Sequence, residues 1–274
     1  AFLRPLLYFI TAKIFGLNPL FFRLINIAFR AGTVFVFYLL ADILIGPKAA
    51  FFSAALLAVH PIQSEAVSWI TGGIYAQYSF FLILALFTYL VSFKNNKLFV
   101  VSAFSFVLGL LSSAQAMIFP LLVFLFIVSF DSLRKNLKKL LVFCVIDGIW
   151  VIVYLFKVAG RMFELETAFC HKPQLLNPFY QIPIAITSYL ELIFWPKGLT
   201  LYHSEMIFSQ PEYIVRLITF IIFITLIILS FKRDRQVFFW LSFFVASLLT
   251  FLTPLGISWI VAERYVYLGA IGIF

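Results

Sequence analysis

Three short stretches of this chain gather side chains that can do chemistry, and the first is His60-Pro61-Ile62-Gln63-Ser64-Glu65-Ala66-Val67. An imidazole and a carboxylate five residues apart, across a proline that turns the chain, can hold a sugar hydroxyl or a phosphate. The plainer reading makes Glu65 a carboxylate that favours the N-terminus of the next helix. The second stretch is Ala262-Glu263-Arg264-Tyr265-Val266-Tyr267. Arginine grips phosphate through two parallel N–H groups. Equally, Glu263 and Arg264 can pair with each other while the tyrosines sit in an interfacial aromatic belt. The third stretch is Leu201-Tyr202-His203-Ser204-Glu205. His203 and Glu205 are metal-ligand types, but two ligands without a third do not define a site, so no metal is assigned. Asp147 stands inside an apolar run, where a carboxylate relays protons or hydrogen-bonds a neighbouring helix. No GxxxxGK[ST], HExxH or GxSxG pattern is present, so the chain lacks the signatures of P-loop, zinc-protease and serine-hydrolase chemistry.

Whatever these groups do, they are carried on helices made for lipid. Apolar residues form 64% of the chain, charged residues 11%, and mean hydropathy is +1.09. A soluble domain is about half apolar and a quarter charged. There are 37 phenylalanines, more than a soluble core of this size would hold. In hydrocarbon the backbone must satisfy its own hydrogen bonds, which leaves an all-α, polytopic bundle as the expected fold. Apolar runs place spans at 22–45, 47–60, 74–93, 98–114, 115–131, 140–159, 213–231 and 237–254, with a ninth starting after Arg264. Segments 5–16 and 178–195 read as interfacial or re-entrant helices. The two cysteines, Cys144 and Cys170, form no framework. No internal repeat or low-complexity tract interrupts the pattern, and residues 1–274 read as one transmembrane domain.

The net charge of +9 speaks of orientation, with no nucleic-acid partner implied. Lys48, the Lys94 and Lys97 pair, Arg134–Lys139, and Lys232, Arg233 and Arg235 all fall on one side if every span crosses. The positive-inside rule makes that side cytoplasmic. The opposite face then collects His60, His171 and His203, with Glu65, Glu164, Glu166, Glu191, Glu205, Glu212 and Glu263. Those are all of the histidines and seven of the eleven acidic residues, which argues for an outward-facing polar site.

Together with Arg4-Pro5-Leu6, Phe15-Gly16-Leu17-Asn18-Pro19 and Leu24-Ile25-Asn26, the His60 and Glu263 stretches resemble the transmembrane half of the TMTC-like family. Asn177-Pro178, Tyr189-Leu190, and Pro196 with Leu199 and Tyr202 follow in the family's order. Those proteins join a GT-C-type glycosyltransferase membrane domain to C-terminal TPR repeats. The resemblance implies a polyprenyl- or dolichyl-phosphate sugar donor, typically mannose, and transfer to a protein Ser/Thr hydroxyl on the extracytoplasmic side. It implies a multi-pass protein of a bacterial inner membrane or the ER membrane, with lipid, the donor and a protein acceptor as partners.

On this resemblance Arg264 meets the donor phosphate, His60 and Glu65 position sugar or acceptor, and Glu263, His203, Tyr265 and Tyr202 complete the surroundings. Two family patterns are altered. Where many members have Gly-Arg-x-Asp, this chain has Gly72-Gly73-Ile74-Tyr75, and where many have Ser-Lys-Glu it has Ser112-Ser113-Ala114-Gln115. The family's acidic pair, which supplies its base, lies upstream of the Arg-Pro-Leu element, so it is expected before Ala1. With no initiator Met, and an end ten residues after Arg264, the chain reads as a piece cut at both ends. Two other functions fit the same composition: a transporter or flippase for a lipid-linked substrate, with Asp147 as its intramembrane charge, or a catalytically inactive scaffold.

The orientation is open to a direct test. In a Cys-free background, a cysteine placed at Asn95 should resist an impermeant thiol reagent added outside intact cells, while one at Ser64 should react. Labelling at Asn95 from outside would reverse the assignment.

Overall fold

The structure, a computed structural model, describes residues 2–130, 133–169, 177–201, 203, 208–252 and 261–274, with the side chains of 133–135, 157–169 and 178 left aside. Every regular element among them is helical. The chain forms α1 (Leu3–Phe15), α2 (Pro19–Ile45), α3 (Pro47–Val59), a 3-10 turn (Pro61–Gln63), α4 (Ser64–Ser68), α5 (Gly73–Val91) and α6 (Leu98–Ser112). A second 3-10 turn (Ala114–Ile118) leads to α7 (Phe119–Phe130), α8 (Leu133–Phe169), α9 (Pro178–Phe194), α10 (Gln210–Arg233) and α11 (Arg235–Leu248).

Local chemistry sets the boundaries. Asn18 and Asn177 each precede a proline and accept from the backbone N–H two residues on, at 3.0 Å in both cases. Proline at the first helical position loses nothing there, because that N–H has no partner inside the helix. Ser209 and Glu212 form a reciprocal capping box at the start of α10. Asp234 alone separates α10 from α11, accepting from Gln236 and Val237 N–H. Gly46, at φ +86°, makes the tight corner from α2 into α3.

Among the described residues, four helices are long and apolar enough to cross a membrane: α2, α5, α8 over Asn136–Phe156, and α10. The bent pair α3 and 61–68 makes a fifth if counted as one span. The helices α6, α7 and α11 are each shorter than an independent crossing. Two expected features differ. Arg134–Lys139, expected as a loop, lies in the opening turns of a continuous α8, because no proline or glycine interrupts 133–147. After Arg264 the chain winds as 3-10 turns over Glu263–Val266 and Gly269–Gly272 where a ninth span was expected to begin. These turns pack closely on α11: a Cβ at Gly272 would strike the Trp240 carbonyl and lie 2.8 Å from the Phe244 nitrogen.

The phenylalanines divide between the interior and the outer surface of the bundle. Phe106, Phe119, Phe126, Phe143, Phe239 and Phe243 are all fully buried and bind α6, α7, α8 and α11 into one core. They meet edge to face, as in Phe119–Phe143 (5.0 Å, 90°) and Phe126–Phe239 (5.9 Å, 86°), the geometry the ring quadrupole favours. By contrast, α8 and α10 leave apolar side chains such as Val145, Ile149, Ile218 and Ile221 exposed. Lys139 Nζ donates to Ser92 Oγ (3.0 Å) at the end of α5, and Gln236 Nε2 to the Leu44 carbonyl (2.8 Å) at the end of α2. The basic segments therefore gather at one end of the bundle.

A buried polar knot fastens α1 to the opposite end. Arg4 donates to the Asn26 amide oxygen on α2, to Gln77 Oε1 (3.3 Å) on α5 and to the Ile70 carbonyl (2.9 Å). Asn26 Nδ2 returns bonds to the Val67 and Trp69 carbonyls, at 3.1 and 3.2 Å. Gln77 Nε2 continues to Ser112 Oγ (3.1 Å) at the end of α6. Gly73 has to be glycine, because a Cβ there would fall on the Asn26 amide and the Arg4 guanidinium. Gly73→Ala is expected to cost about 1–3 kcal/mol by overpacking. Thermal unfolding in detergent checks it, and an unchanged melting temperature would show that the knot is not built this way.

Candidate functional site

The site begins with a proline. Pro61 cannot continue α3, so His60 ends it in an extended conformation, and the 3-10 turn and α4 set off at 55° to the α3 axis. The turn places Glu65, on the first turn of α4, facing the 3-10 turn that carries Arg264. Arg264 Nη1 donates to Glu65 Oε1 at 2.5 Å, and the Arg264 backbone N–H to Oε2 at 2.8 Å. The two residues are 199 positions apart and both side chains are almost wholly buried.

Other elements close around the pair. Nη1 also donates to the Leu201 carbonyl (3.1 Å), and the guanidinium lies 5.3 Å from the Trp69 ring centre and 4.9 Å from that of Tyr265. Such ring faces attract a cation, more strongly when water is excluded. Tyr265 is itself stacked on Phe251, at 4.4 Å and 11°. Burial works against the Arg264 charge, but the hydrogen bond and charge of Glu65 outweigh it and hold the guanidinium above its ordinary value. Removing either partner would strand a charge.

Glu263 is buried beside the pair. It accepts from the Thr200 backbone N–H at 2.6 Å, and its Oε1 lies 3.7 Å from His203 Nε2. The structure thus brings together Glu65, Glu263, Arg264, Tyr265 and His203. Tyr202, Glu205 and His171 lie outside the described residues. Among those described, no group of three His, Cys, Asp or Glu side chains could hold a metal.

His60 is engaged otherwise. Its Nδ1 accepts from the Ile62 N–H (3.2 Å), which leaves Nε2 to carry the proton and donate to the Ile193 carbonyl (2.9 Å). With both nitrogens bonded to backbone, the ring ties the α3 corner to α9, so this geometry gives it a structural task. Asp147, half-buried on α8, has one carboxylate oxygen without a hydrogen-bond partner among the described residues.

One residue was overlooked in the sequence. Arg30, on α2, is 8% exposed, and its Nη1 and Nη2 are buried with no hydrogen-bond partner among the described residues. Its signal was plain enough: an arginine inside the apolar run 24–45, where an ionisable group is expensive.

Compared with protein families, curated proteins and solved structures, the chain has no significant match in any of the three.

The buried pair makes a stability prediction. Glu65→Ala or Arg264→Ala alone should each destabilise the protein by about 3–5 kcal/mol, since each leaves an uncompensated charge. The double replacement should cost much less than the sum. A double-mutant cycle on unfolding in detergent measures the coupling, and additive single effects would mean the two groups do not interact.

Proposed function

We propose that this chain is the membrane domain of a glycosyltransferase of the TMTC-like type, moving a sugar, mannose by analogy, from a polyprenyl- or dolichyl-phosphate to a protein hydroxyl. On this reading the bundle has the GT-C-like architecture of eight or nine spans plus interfacial helices. It sits in a bacterial inner membrane or the ER membrane, with the Glu65–Arg264 end extracytoplasmic. One observation carries the reading: the two most specific stretches of the resemblance, 199 positions apart at Glu65 and Arg264, meet in a single buried polar site at a helix corner.

Transfer from a phosphate-linked sugar forms a bond from the acceptor oxygen to the anomeric carbon and breaks the bond from that carbon to the phosphate oxygen. The acceptor proton goes to a base, and the departing phosphate takes the bonding electrons. Arg264 is the cation for that phosphate, kept charged and oriented by Glu65. Trp69 and Tyr265 offer ring faces beside it, and Glu263 with His203 fixes the overlying segment. The base is not assigned to any described residue. An inactive scaffold of the same fold is the second reading, favoured by the completeness with which Glu65 satisfies Arg264.

The test is transfer of labelled mannose from polyprenyl-phosphate mannose by the full-length protein in nanodiscs. Arg264→Lys, which keeps the charge and loses the two-pronged geometry, should retain only part of the rate. Arg264→Ala should lose about 2–4 kcal/mol of transition-state stabilisation, about a thirty- to thousand-fold fall. Full transfer by a folded Arg264→Ala protein would remove Arg264 from the reaction, and no transfer by wild type would leave the scaffold.

A further inference from the structure

The buried cations of this bundle are not equally matched. Arg264 has a carboxylate, and Arg4 has amide and carbonyl oxygens. Arg30 has neither among the described residues, although it is as deeply buried as the others. Its guanidinium lies 5.4 Å from the centre of the Tyr267 ring. Burial pushes the Tyr267 phenol up, and the neighbouring Arg30 guanidinium and Thr33 hydroxyl work in the opposite direction.

Three more buried polar atoms lack hydrogen-bond partners among the described residues: the hydroxyl of Tyr267, that of Tyr78 on α5, which is near enough to feel Tyr267, and Oε1 of Gln63. Gln63 is tied to the same place, its Nε2 donating to the Tyr267 carbonyl at 3.3 Å. Residues of four chain segments therefore contribute one group of buried polar atoms, mostly donors, beside a guanidinium. Leaving a charge and two hydroxyls without good partners in a low-dielectric interior is costly, and a charge is the most costly of these.

We propose that Arg30, with the Tyr267 and Tyr78 hydroxyls and Gln63, is a binding site for a phosphate group. A phosphate supplies what the group lacks: negative charge and several acceptor oxygens for a planar two-pronged donor and two hydroxyls. The Gln63 carbonyl oxygen, the one acceptor of the set, suits a protonated phosphate oxygen or a hydroxyl on the same ligand. The site requires only the phosphate, so it stands whether or not sugar transfer occurs.

The experiment uses the full chain in detergent, with citronellyl phosphate, inorganic phosphate and citronellol as probes and the melting temperature as readout. Citronellyl phosphate is expected to raise the melting temperature with saturation, and citronellol at equal concentration to do nothing. Stabilisation by inorganic phosphate as well supports a site for the free ion, and stabilisation by the isoprenyl ester alone supports a lipid-borne phosphate. Arg30→Gln should weaken the citronellyl phosphate affinity at least about tenfold, the scale of one charge-assisted hydrogen bond, and Arg30→Lys less. Without ligand, Arg30→Gln should be as stable as wild type or more so. The proposal is overturned if no phosphate stabilises wild type, if Arg30→Gln binds as wild type does, or if Arg30→Gln lowers unliganded stability.

Discussion

A charge removed from water has to be matched where it comes to rest, and much of this bundle is arranged by that constraint. The Glu65–Arg264 pair is its clearest expression. Glu65 sits beyond a proline corner and Arg264 on a 3-10 turn, so neither position is fixed by a long helix. Their mutual attraction, strengthened by burial, pins the two turns together. Once they are pinned, the segment 261–274 lies along α11, Gly269 and Gly272 pack against Phe244 and Trp240, and Glu263 holds the backbone at Thr200.

Arg4 meets the same demand with neutral groups. Burial pushes its guanidinium below its ordinary value, yet two side-chain amides and a carbonyl oxygen accept from it. That solution needs space for the donors, which is why α5 begins at a glycine. Gly73 and Ser112, at the start of α5 and the end of α6, both belong to this knot.

The bundle uses its aromatic content in two ways. In the core, rings interlock edge to face and fill volume at helix crossings that small aliphatic residues would leave open. At the polar end, rings serve cations: Trp69 and Tyr265 for Arg264, Tyr8 for Arg4, Tyr267 for Arg30. A ring face attracts positive charge without using up a hydrogen bond, so it can accompany hydrogen-bond acceptors at the same guanidinium.

The helical class and the clustering of basic residues at one end were legible in the sequence. Both follow from local quantities: apolar run length, the Asn-Pro and Ser-x-x-Glu caps, and the density of lysine and arginine between runs. The distinction between a loop and an uninterrupted helix at Arg134–Lys139 was not, because charge argues for a loop while the absence of any breaker permits a helix. Nor could spacing tell what His60 does, since an imidazole at a helix corner bonds a backbone carbonyl or a ligand equally well until α9 supplies Ile193. Which cation would be neutralised and which left alone, Arg264 or Arg30, depended wholly on long-range contact. Local chemistry acts between residues a few positions apart and is written in the chain. The partner of a buried charge is chosen by which helix ends converge, and only the folded bundle decides that.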